Sequence, residues 1–428
     1  MHVHDFVAIG IGPFNLGLAC LAEPLDLDGV FLESKDEFDW HPGMLLDDAT
    51  LQVPFMADLV TMADPTSPYS FLSFLKDTGR LYSFYIRESF YPLRREYNDY
   101  CRWAADRLSS LHFGQHVERV EHDGSAYVVH TSGGETWRGK RLVLGVGTTP
   151  VVPDAADKLA GEERVLHTSD YLAHRDELRE LGSVTVVGSG QSAAEVYADL
   201  LDSLDPDQAL NWVTRSPRFF PMEYTKLTLE MTSPEYTAYF QALPDETRGD
   251  LLQEQKSLYK GISSDLVDAI FDKLYEKRVA GGVDTTLVTS SELVDARAHG
   301  SSYVLDLHHH ESGQDFAITT DAVVLATGYA PQVPGFLDPV RDRIRWDDQG
   351  RLTASASFAV DTEGCEIFVQ NAEEHTHGFV APDLGMGAHR NSTVIAAMLG
   401  REVYPIEKRV AFQHFGVPDH LRVLAEAQ

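Results

Sequence analysis

Two short apolar runs, each followed by a glycine-rich turn, stand out in the pattern of hydrophobic and polar positions. Residues 6–9 and 184–187 are apolar almost without interruption, whereas a half-buried strand would alternate. We therefore predict a parallel strand, buried on both faces, at each run. A Gly-x-Gly turn follows each strand, at residues 10–12 and 188–190, and a helix is expected next. Backbone N–H groups at such a helix N-terminus bind anions, so each turn is a candidate pyrophosphate site.

The charged residues after the next strand distinguish the two turns. Glu33 ends an apolar run, residues 30–32, about 20 residues after the first glycine, where a carboxylate binds ribose hydroxyls in a dinucleotide fold. The first turn therefore suits FAD or NAD. After the second turn, the run at residues 212–213 leads to Arg215 with no acid in the equivalent place. An arginine there suits the 2′-phosphate of NADP. One such turn is weak evidence, but two with opposite charges predict two different nucleotide cofactors.

The distribution of the remaining elements predicts an α/β fold with two Rossmann-like dinucleotide-binding domains. Residues 219–278 are rich in helix formers and aromatics, and strands resume at residues 286–288 and 303–305. The chain after residue 335 has too few predicted strands for a fold of its own, so it is expected to complete the first domain. The predicted units are a first domain of residues 1–175 and 335–428, a second domain of residues 176–218 and 280–334, and a small helical, substrate-binding insertion of residues 219–279.

Composition excludes several classes of partner. The formal net charge is −31, which argues against nucleic acid or an anionic membrane as a partner. The charge could concentrate a cationic substrate, although a solubilising acidic surface is the simpler interpretation. No secretory signal and no run long enough to span a membrane are found, so a cytoplasmic protein is expected. Cys20, Cys101 and Cys365 include no C-x-x-C pair, which excludes a redox disulfide of the glutathione-reductase type and fits a reducing compartment.

Several motifs together resemble one enzyme family. They are residues 10–16 (GIGPFNL), residues 38–44 (FDWHPGM), residues 51–52 (LQ), and residues 321–329 (DAVVLATGY) with Pro334 after them. In this combination the chain, from residue 5 to about residue 415, resembles the microbial lysine/ornithine N-monooxygenases, flavin-dependent amine N-hydroxylases of hydroxamate siderophore biosynthesis. The resemblance implies FAD in the first domain, NADPH in the second, and N-hydroxylation with O₂ through a flavin C4a-hydroperoxide. No catalytic side chain is expected, because the flavin carries the difficult chemistry.

The resemblance also implies which residues bind the cofactors. Contacts to the adenine and phosphates of FAD are implied for Gly10, Gly12, Pro13, Asn15, Glu33 and Val117. Contacts to the isoalloxazine are implied for Trp40, His41, Met44, Gln52, Leu384, Gly385 and Met386. Contacts to NADPH are implied for Ser189, Gly190, Gln191, Ser192 and Arg215. Core packing is an equal alternative for Trp40 and Met44, whereas the Gln52 amide is expected to support the flavin edge. No metal is expected, since the histidines at 308–310 suit a solvated strand and those at 375 and 377 a loop.

Two departures from the ornithine enzymes bear on the substrate. Those enzymes carry a Phe-Leu-Lys-Asp-Leu segment whose lysine binds the substrate carboxylate, and Ala57 stands at that lysine position here. Met222 stands where they have the asparagine of an Asn-Glu pair. A buried carboxylate without a partner is costly, so a substrate that has none is favoured. Residues 91–100 and 383–387 also resemble the diamine branch of the family, which suggests cadaverine first and putrescine second.

The second ammonium of a diamine needs an acceptor, and alternatives to a diamine stay open. Asp58 and Glu223 are the candidate acceptors, with a structural role as the alternative for both. Lysine N6-hydroxylation is a second possibility and would need another cation, from Arg94, Arg95 or Lys226. A nucleotide-binding redox sensor without oxygenation is a third. With a diamine and O₂ as small-molecule partners, we also expect a homo-oligomer, either a dimer or a tetramer.

Overall fold

Parallel strands form the centre of both nucleotide-binding units in the computed structural model, which describes residues 2–422. In chain order the strands are β1 (Phe6–Ile9), β2 (Gly29–Leu32), β3 (Leu111–His112), β4 (Val117–His122), β5 (Tyr127–Thr131), β6 (Thr136–Gly139), β7 (Leu142–Leu144), β8 (Thr148–Pro150), β9 (Val165–His167), β10 (Ser183–Val187), β11 (Ala209–Val213), β12 (Asp284–Val288), β13 (Ser291–His299), β14 (Ser302–His309), β15 (Gln314–Thr320), β16 (Ala322–Leu325), β17 (Tyr329–Pro331) and β18 (Ile367–Val369).

The helices lie mainly between these strands and in the central insertion. They are α1 (Pro13–Ala22), α2 (Phe71–Asp77), α3 (Leu81–Arg87), α4 (Arg94–Ala105), α5 (Tyr171–Arg179), α6 (Gln191–Ser203), α7 (Lys226–Leu229), α8 (Pro234–Gln241), α9 (Asp245–Glu254), α10 (Ser264–Val279), α11 (Glu374–His377) and α12 (Gly387–Leu399). Short 3₁₀ helices occupy Pro42–Met44, Asp154–Leu159, Thr168–Asp170, Gln255–Leu258, Gly335–Arg343, Leu384–Met386 and Asp419–Leu421. No helix within residues 2–422 is long and apolar enough to cross a membrane.

The first sheet has five parallel strands in the order β18-β7-β1-β2-β3. Every residue of β1 is buried, which explains its uninterrupted apolar run. Helices α1 and α12 pack on one face of this sheet. The antiparallel strands β4, β5 and β6 and the 3₁₀ helix Gly335–Arg343 cover the other face. The chain after residue 335 therefore returns to the first sheet and supplies its edge strand, β18.

The second sheet repeats this plan in the order β12-β11-β10-β16-β9. Its strands are also parallel, with Val184 paired to Leu210 on one side and to Ala322 on the other. Helices α6 and α10 pack on one face, and the antiparallel sheet of β13, β14 and β15 packs on the other. Strand β9 joins this sheet although it precedes residue 176, and the predicted boundary falls inside α5. The two sheets confirm the predicted α/β class with two Rossmann-like units.

Two of the contacts between the units are made by backbone groups. Strands β8 and β17 pair antiparallel where the chain leaves one unit and returns from the other. The 3₁₀ helix Pro42–Met44 also packs against Thr168–Asp170, so closely that a Cβ on Gly43 would lie 1.8 Å from the Ser169 carbonyl oxygen. Only glycine fits at this contact. In the insertion, α8 packs against the segment before α12 through a cluster of Tyr236, Phe240, Phe379, Val380 and Met386.

Candidate active site

A cleft of about 980 Å³ lies at the carboxyl ends of β1 and β2, beside the first glycine turn. Gly10 has φ +88°, and a Cβ there would lie 2.4 Å from the Gly145 carbonyl oxygen. Both the conformation and the close approach require glycine. A Cβ on Gly12, by contrast, would meet no protein atom within 4 Å, which leaves free space on the side of the cleft. The turn therefore has the shape that allows a pyrophosphate to approach its backbone.

Asn15 and Pro13 maintain the shape of this turn. The buried Asn15 amide donates to the Gly10 carbonyl at 2.7 Å, and its oxygen accepts from the Gln370 amide at 2.7 Å. Asn15 thereby fastens the turn to the residue that follows β18. Pro13 begins α1, where its missing N–H costs nothing and its fixed φ suits the first helical turn. Both residues line the cleft.

Glu33 and Val117, for which the resemblance implies contact with the adenine and phosphate part of FAD, both border the cleft. The Glu33 carboxylate accepts from the Ile11 backbone N–H at 2.7 Å and from the Ser34 hydroxyl at 3.0 Å. It follows β2 directly and lines the cleft, which suits contact with ribose hydroxyls. Val117 is buried at the start of β4 and also borders the cleft.

Trp40, His41 and Met44 border the other part of the cleft. The Trp40 ring meets the rings of His41 and Tyr97 edge-on at 4.9 and 5.3 Å. Met44 is almost fully buried in the core of the second unit. Both side chains thus contribute to packing as well as to the cleft wall.

The surroundings of His41 disfavour a positive charge at this wall of the cleft. Its side chain is exposed to the cleft, while protein surrounds it on the other sides. Removal from bulk water, reinforced by the positive charges of Arg94 and Lys35, lowers the pKa of His41 to about 4. The imidazole is therefore neutral at physiological pH. A protonated amine placed beside it would meet the same unfavourable surroundings.

Gln52 and the segment Leu384–Met386 lie outside the lining of the cleft itself. The Gln52 Nε2 is buried and has no hydrogen-bond acceptor among the described residues, so it can still donate to a ligand. The Leu384–Met386 turn is capped by Asp383, whose Oδ1 accepts from the Gly385 N–H at 2.7 Å. A Cβ on Gly387, the next residue, would lie 3.1 Å from the ring of Phe14, which lines the cleft. The segment is therefore behind this wall.

The two predicted substrate residues in the first domain have different surroundings. Ala57 is 6% exposed, and a Cβ on Gly385 would lie 3.7 Å from its methyl group. Asp58 is also buried, and its carboxylate accepts four hydrogen bonds, from the N–H groups of Val60, Thr61 and Phe71 and from the Thr61 hydroxyl. This arrangement holds the loop to the start of α2. These hydrogen bonds favour the alternative considered for Asp58, a structural role in place of ammonium binding.

Met222 and Glu223 belong to the insertion. Met222 is buried, its N–H donates to the Ile262 carbonyl at 2.7 Å, and the Tyr224 hydroxyl donates to its sulfur at 3.7 Å. Glu223 is exposed, and its N–H donates to the Ser257 carbonyl at 3.2 Å. Its carboxylate therefore faces water.

Asp383 is a candidate that sequence reasoning missed as a substrate residue. Burial raises the pKa of its carboxyl, although the Gly385 N–H and the nearby Arg390 act in the opposite direction. Within the described part of the chain, the Gly385 N–H is the one hydrogen-bond donor to this carboxylate. Through Gly385 it lies near Ala57, and it acts electrostatically on Tyr224 of the insertion. The available signal was its place in residues 383–387, the segment that resembles the diamine branch.

The second glycine turn is tied to the insertion. Gln191 accepts from the Ser263 N–H at 2.8 Å and donates to Glu195 at 2.9 Å. Ser189, Gly190 and Ser192 lie in the same turn and in the first turn of α6, half-exposed. Arg215 is exposed just after β11, the position that sequence predicts for contact with a 2′-phosphate.

The cations proposed for a lysine substrate are differently placed. Arg94 forms a bidentate ion pair with Glu195, with both N–O distances 2.8 Å. Arg95 pairs with Asp47 at 2.6 Å on the surface. Lys226 is exposed at the start of α7. Arg94 is therefore fully engaged by another carboxylate.

The histidines at 308–310 are exposed or half-buried, whereas His375 is half-buried and His377 is buried, and none of them lines the cleft. The loop predicted for His375 and His377 is wrong, because both lie in the short helix α11. His308 pairs with Asp315 at 2.7 Å, which suits a solvated strand. Among residues 2–422, one set of side chains brings ligand atoms within 4.8 Å of one another, and its members are His2, His4 and Asp28. Each of the two histidines is hydrogen-bonded to the Asp28 carboxylate.

Comparisons with known proteins fit this architecture. Residues 2–331 match the family described as L-lysine 6-monooxygenase/L-ornithine 5-monooxygenase. The chain is 49% identical over 424 residues to a putrescine N-hydroxylase of Shewanella oneidensis. The aligned region covers 96% of this chain and 84% of that protein. The crystal structure of DfoA bound to FAD, the cadaverine monooxygenase of the desferrioxamine biosynthetic pathway from Erwinia amylovora, matches with TM-score 0.95 and 50% identity, covering 98% and 99% of the two chains.

A more distant solved structure has the same fold. The ornithine N-hydroxylase of Kutzneria sp. 744, with reduced FAD, NADP⁺ and L-ornithine, matches with TM-score 0.87 and 28% identity, covering 93% of this chain and 99% of that chain. The family match spans well over half of the chain, and the resemblance carried by the sequence motifs is confirmed. This chain belongs to the L-lysine 6-monooxygenase/L-ornithine 5-monooxygenase family of flavin-dependent N-hydroxylating monooxygenases.

Proposed function

We propose that this protein uses FAD, NADPH and O₂ to hydroxylate one primary amine of an aliphatic diamine for hydroxamate siderophore biosynthesis. Cadaverine is the first choice and putrescine the second. One observation carries the proposal: an apolar residue, Ala57, stands at the place of the carboxylate-binding lysine, and a carboxylate, Asp383, lies nearby. Such a site suits a substrate with a second ammonium instead of a carboxylate.

The residues around the cleft fit FAD. The Gly10–Gly12 turn leaves free space beside Gly12 for a pyrophosphate, and Glu33 brings a carboxylate to the cleft. Gln52 has a buried, unpartnered amide N–H group for the flavin edge. The oxygen chemistry is supplied by the reduced flavin when it is bound. The second turn and Arg215 would hold NADPH. Relatives solved with FAD and with NADP⁺ support this assignment.

The side chains of this protein have to position the amine and lower its pKa. A free alkylamine is protonated at neutral pH, with a pKa of about 10.4, and an ammonium has no lone pair for oxygen transfer. The surroundings that lower the pKa of His41 to about 4 would also favour the neutral amine. Trp40 and the buried Met44 contribute apolar wall there, which keeps water away from the reacting nitrogen.

The distal ammonium is assigned to Asp383. Asp58 already accepts four hydrogen bonds, and Glu223 is exposed. Asp383 accepts one hydrogen bond from the described chain and is buried enough that the pKa of its carboxyl is raised. A partly desolvated carboxylate gains most from a cationic partner. Asp383 is therefore the acceptor that the geometry favours.

Lysine is the runner-up substrate. Its carboxylate would need a cation, and the half-buried Arg94 is already paired with Glu195. A diamine has no carboxylate and therefore needs no such cation. Between the diamines, one methylene changes binding by only about 1–3 kcal/mol. Relatives of nearly equal identity carry the names of both substrates.

Product formation tests the proposal. The FAD-loaded protein, with NADPH and air, would be offered cadaverine, putrescine, lysine and ornithine separately, and hydroxylamine would be measured. We expect hydroxylamine from the two diamines and little from the two amino acids. Hydroxylamine from lysine alone would contradict the role given to Ala57. NADPH oxidation without hydroxylamine from any of the four would contradict the hydroxylase assignment and favour a non-oxygenating redox protein.

A further inference from the structure

One guanidinium group connects the flavin side of the cleft to the second domain. Arg94, the first residue of α4, donates to the Met44 carbonyl at 2.8 Å. It also donates through both terminal nitrogens to the two carboxylate oxygens of Glu195 on α6. Met44 ends the segment that borders the cleft, whereas α6 begins at the second glycine turn. A single side chain thus bridges the two proposed cofactor sites.

The bridge is held in one geometry by further contacts. Gln191 donates to Glu195 and accepts from Ser263 at the start of α10, so the insertion fixes the carboxylate from the other side. The Arg94 and Glu195 side chains are only 12% and 6% exposed. A bidentate pair so shielded is stronger and more directional than a surface ion pair, and loss of one partner leaves a buried charge uncompensated.

We propose that Arg94 and Glu195 are positioning residues that set the second domain at the distance and angle needed for hydride transfer to the flavin. This inference rests on the proposed function, in which NADPH is the reductant. The β8–β17 ladder joins the domains through backbone, away from α6. Apolar side chains of the first domain, among them Met44 and Leu46, also pack in the core that contains α6, the helix that follows the second glycine turn. Apolar packing is non-directional, whereas the bidentate pair fixes the orientation of α4 relative to α6.

The proposal predicts an effect on one half of the reaction. Hydride transfer needs the two reacting atoms about 3–3.5 Å apart, and a misplacement of about 1 Å can cost a hundredfold in rate. Reaction of the reduced enzyme with O₂ requires no such alignment of the second glycine turn. Loss of the pair should therefore slow reduction by NADPH and leave the oxygen reaction of chemically reduced enzyme close to that of the native protein.

The test compares two variants, each with a carboxylate replaced by an amide, one turn apart on α6. Glu195→Gln removes the carboxylate that pairs with Arg94 of the first domain. In Asp199→Asn the lost carboxylate pairs with Arg179 of α5, at 3.0 Å, inside the second domain. Anaerobic reduction of the FAD-loaded protein would be followed by stopped-flow absorbance at saturating NADPH. We expect at least about a tenfold lower limiting rate for Glu195→Gln and no more than about a twofold change for Asp199→Asn. In a double-mutant cycle, Arg94→Gln combined with Glu195→Gln should be no slower than the slower single variant.

Amide hydrogen exchange supplies a readout that needs no turnover. Without NADPH, Glu195→Gln should increase exchange in both residues 93–97 and residues 188–195, and Asp199→Asn should not affect the first segment. Reduction of Glu195→Gln at the native rate, or equal slowing by both variants, would overturn the positioning role while leaving the proposed function intact. A native protein whose flavin is not reduced by NADPH would overturn both.

Discussion

At the scale of single residues, the substrate assignment depends on two neighbours. Ala57 supplies no cation, and Asp383 supplies a carboxylate with little internal hydrogen bonding. Sequence comparison alone identified the first, because a missing lysine is visible in a motif. It proposed Asp58 and Glu223 for the second role, but the Asp58 carboxylate accepts four hydrogen bonds within the chain and Glu223 is exposed. Whether a carboxylate is free depends on contacts along the folded chain, which the sequence does not display.

Asp383→Asn should weaken diamine binding selectively. Loss of the charge removes the partner of the distal ammonium, and hydrogen bonds to charged groups contribute about 1.5–3 kcal/mol. We expect kcat/KM for cadaverine to fall about ten- to hundredfold, mainly through KM. The rate of flavin reduction by NADPH without amine should be retained. If kcat/KM for cadaverine fell by this amount in Glu223→Gln and stayed unchanged in Asp383→Asn, the ammonium would instead be assigned to Glu223.

Ala57→Lys should abolish diamine turnover without creating ornithine turnover. The new ammonium would lie near Asp383 and compete with the substrate for it. Met222, where the ornithine enzymes have asparagine, stays unchanged. Hydroxylamine assays with cadaverine and ornithine measure both effects, and Ala57→Met controls for side-chain size. Efficient ornithine hydroxylation by Ala57→Lys would show that Met222 has no part in substrate choice.

At the scale of elements, sequence periodicity is a good guide to the two central strands and a poor one to the edges. Strands β1 and β10 are buried on both faces, so their apolar runs identify them. Strand β9 has only three residues, and its place beside β16 comes from the parallel ladder rather than from its own pattern. The Arg94–Glu195 pair could not be predicted from a local sequence pattern either, because its members lie 101 residues apart.

Arg215 follows β11, where a dinucleotide fold contacts the ribose that carries the 2′-phosphate of NADP. Arg215→Ala should weaken NADPH binding far more than NADH binding, because only NADPH carries the 2′-phosphate that the guanidinium would contact. We expect KM for NADPH to rise at least about tenfold and KM for NADH to change little. Steady-state rates with both nucleotides check this. Equal losses for the two would remove the assignment of Arg215 to the phosphate.

At the scale of the whole molecule, two similar dinucleotide-binding units meet beside one cleft. The contacts between them include the β8–β17 ladder, the Gly43 packing, the Arg94–Glu195 pair and the burial of Met44 in the core of the second unit. The insertion reaches both the second glycine turn, through Ser263, and the segment before α12. The acidic surface adds a field that attracts cations, which suits a diamine carrying two positive charges in water.

The coupling ratio tests the central claim most directly. Hydroxylamine formed and NADPH consumed would be measured in the same air-saturated sample, with cadaverine and with lysine in parallel. A site built for a diamine should give close to one hydroxylamine per NADPH with cadaverine, and NADPH consumption with little product for lysine. Tight coupling with lysine, and uncoupled NADPH oxidation with both cadaverine and putrescine, would contradict the account.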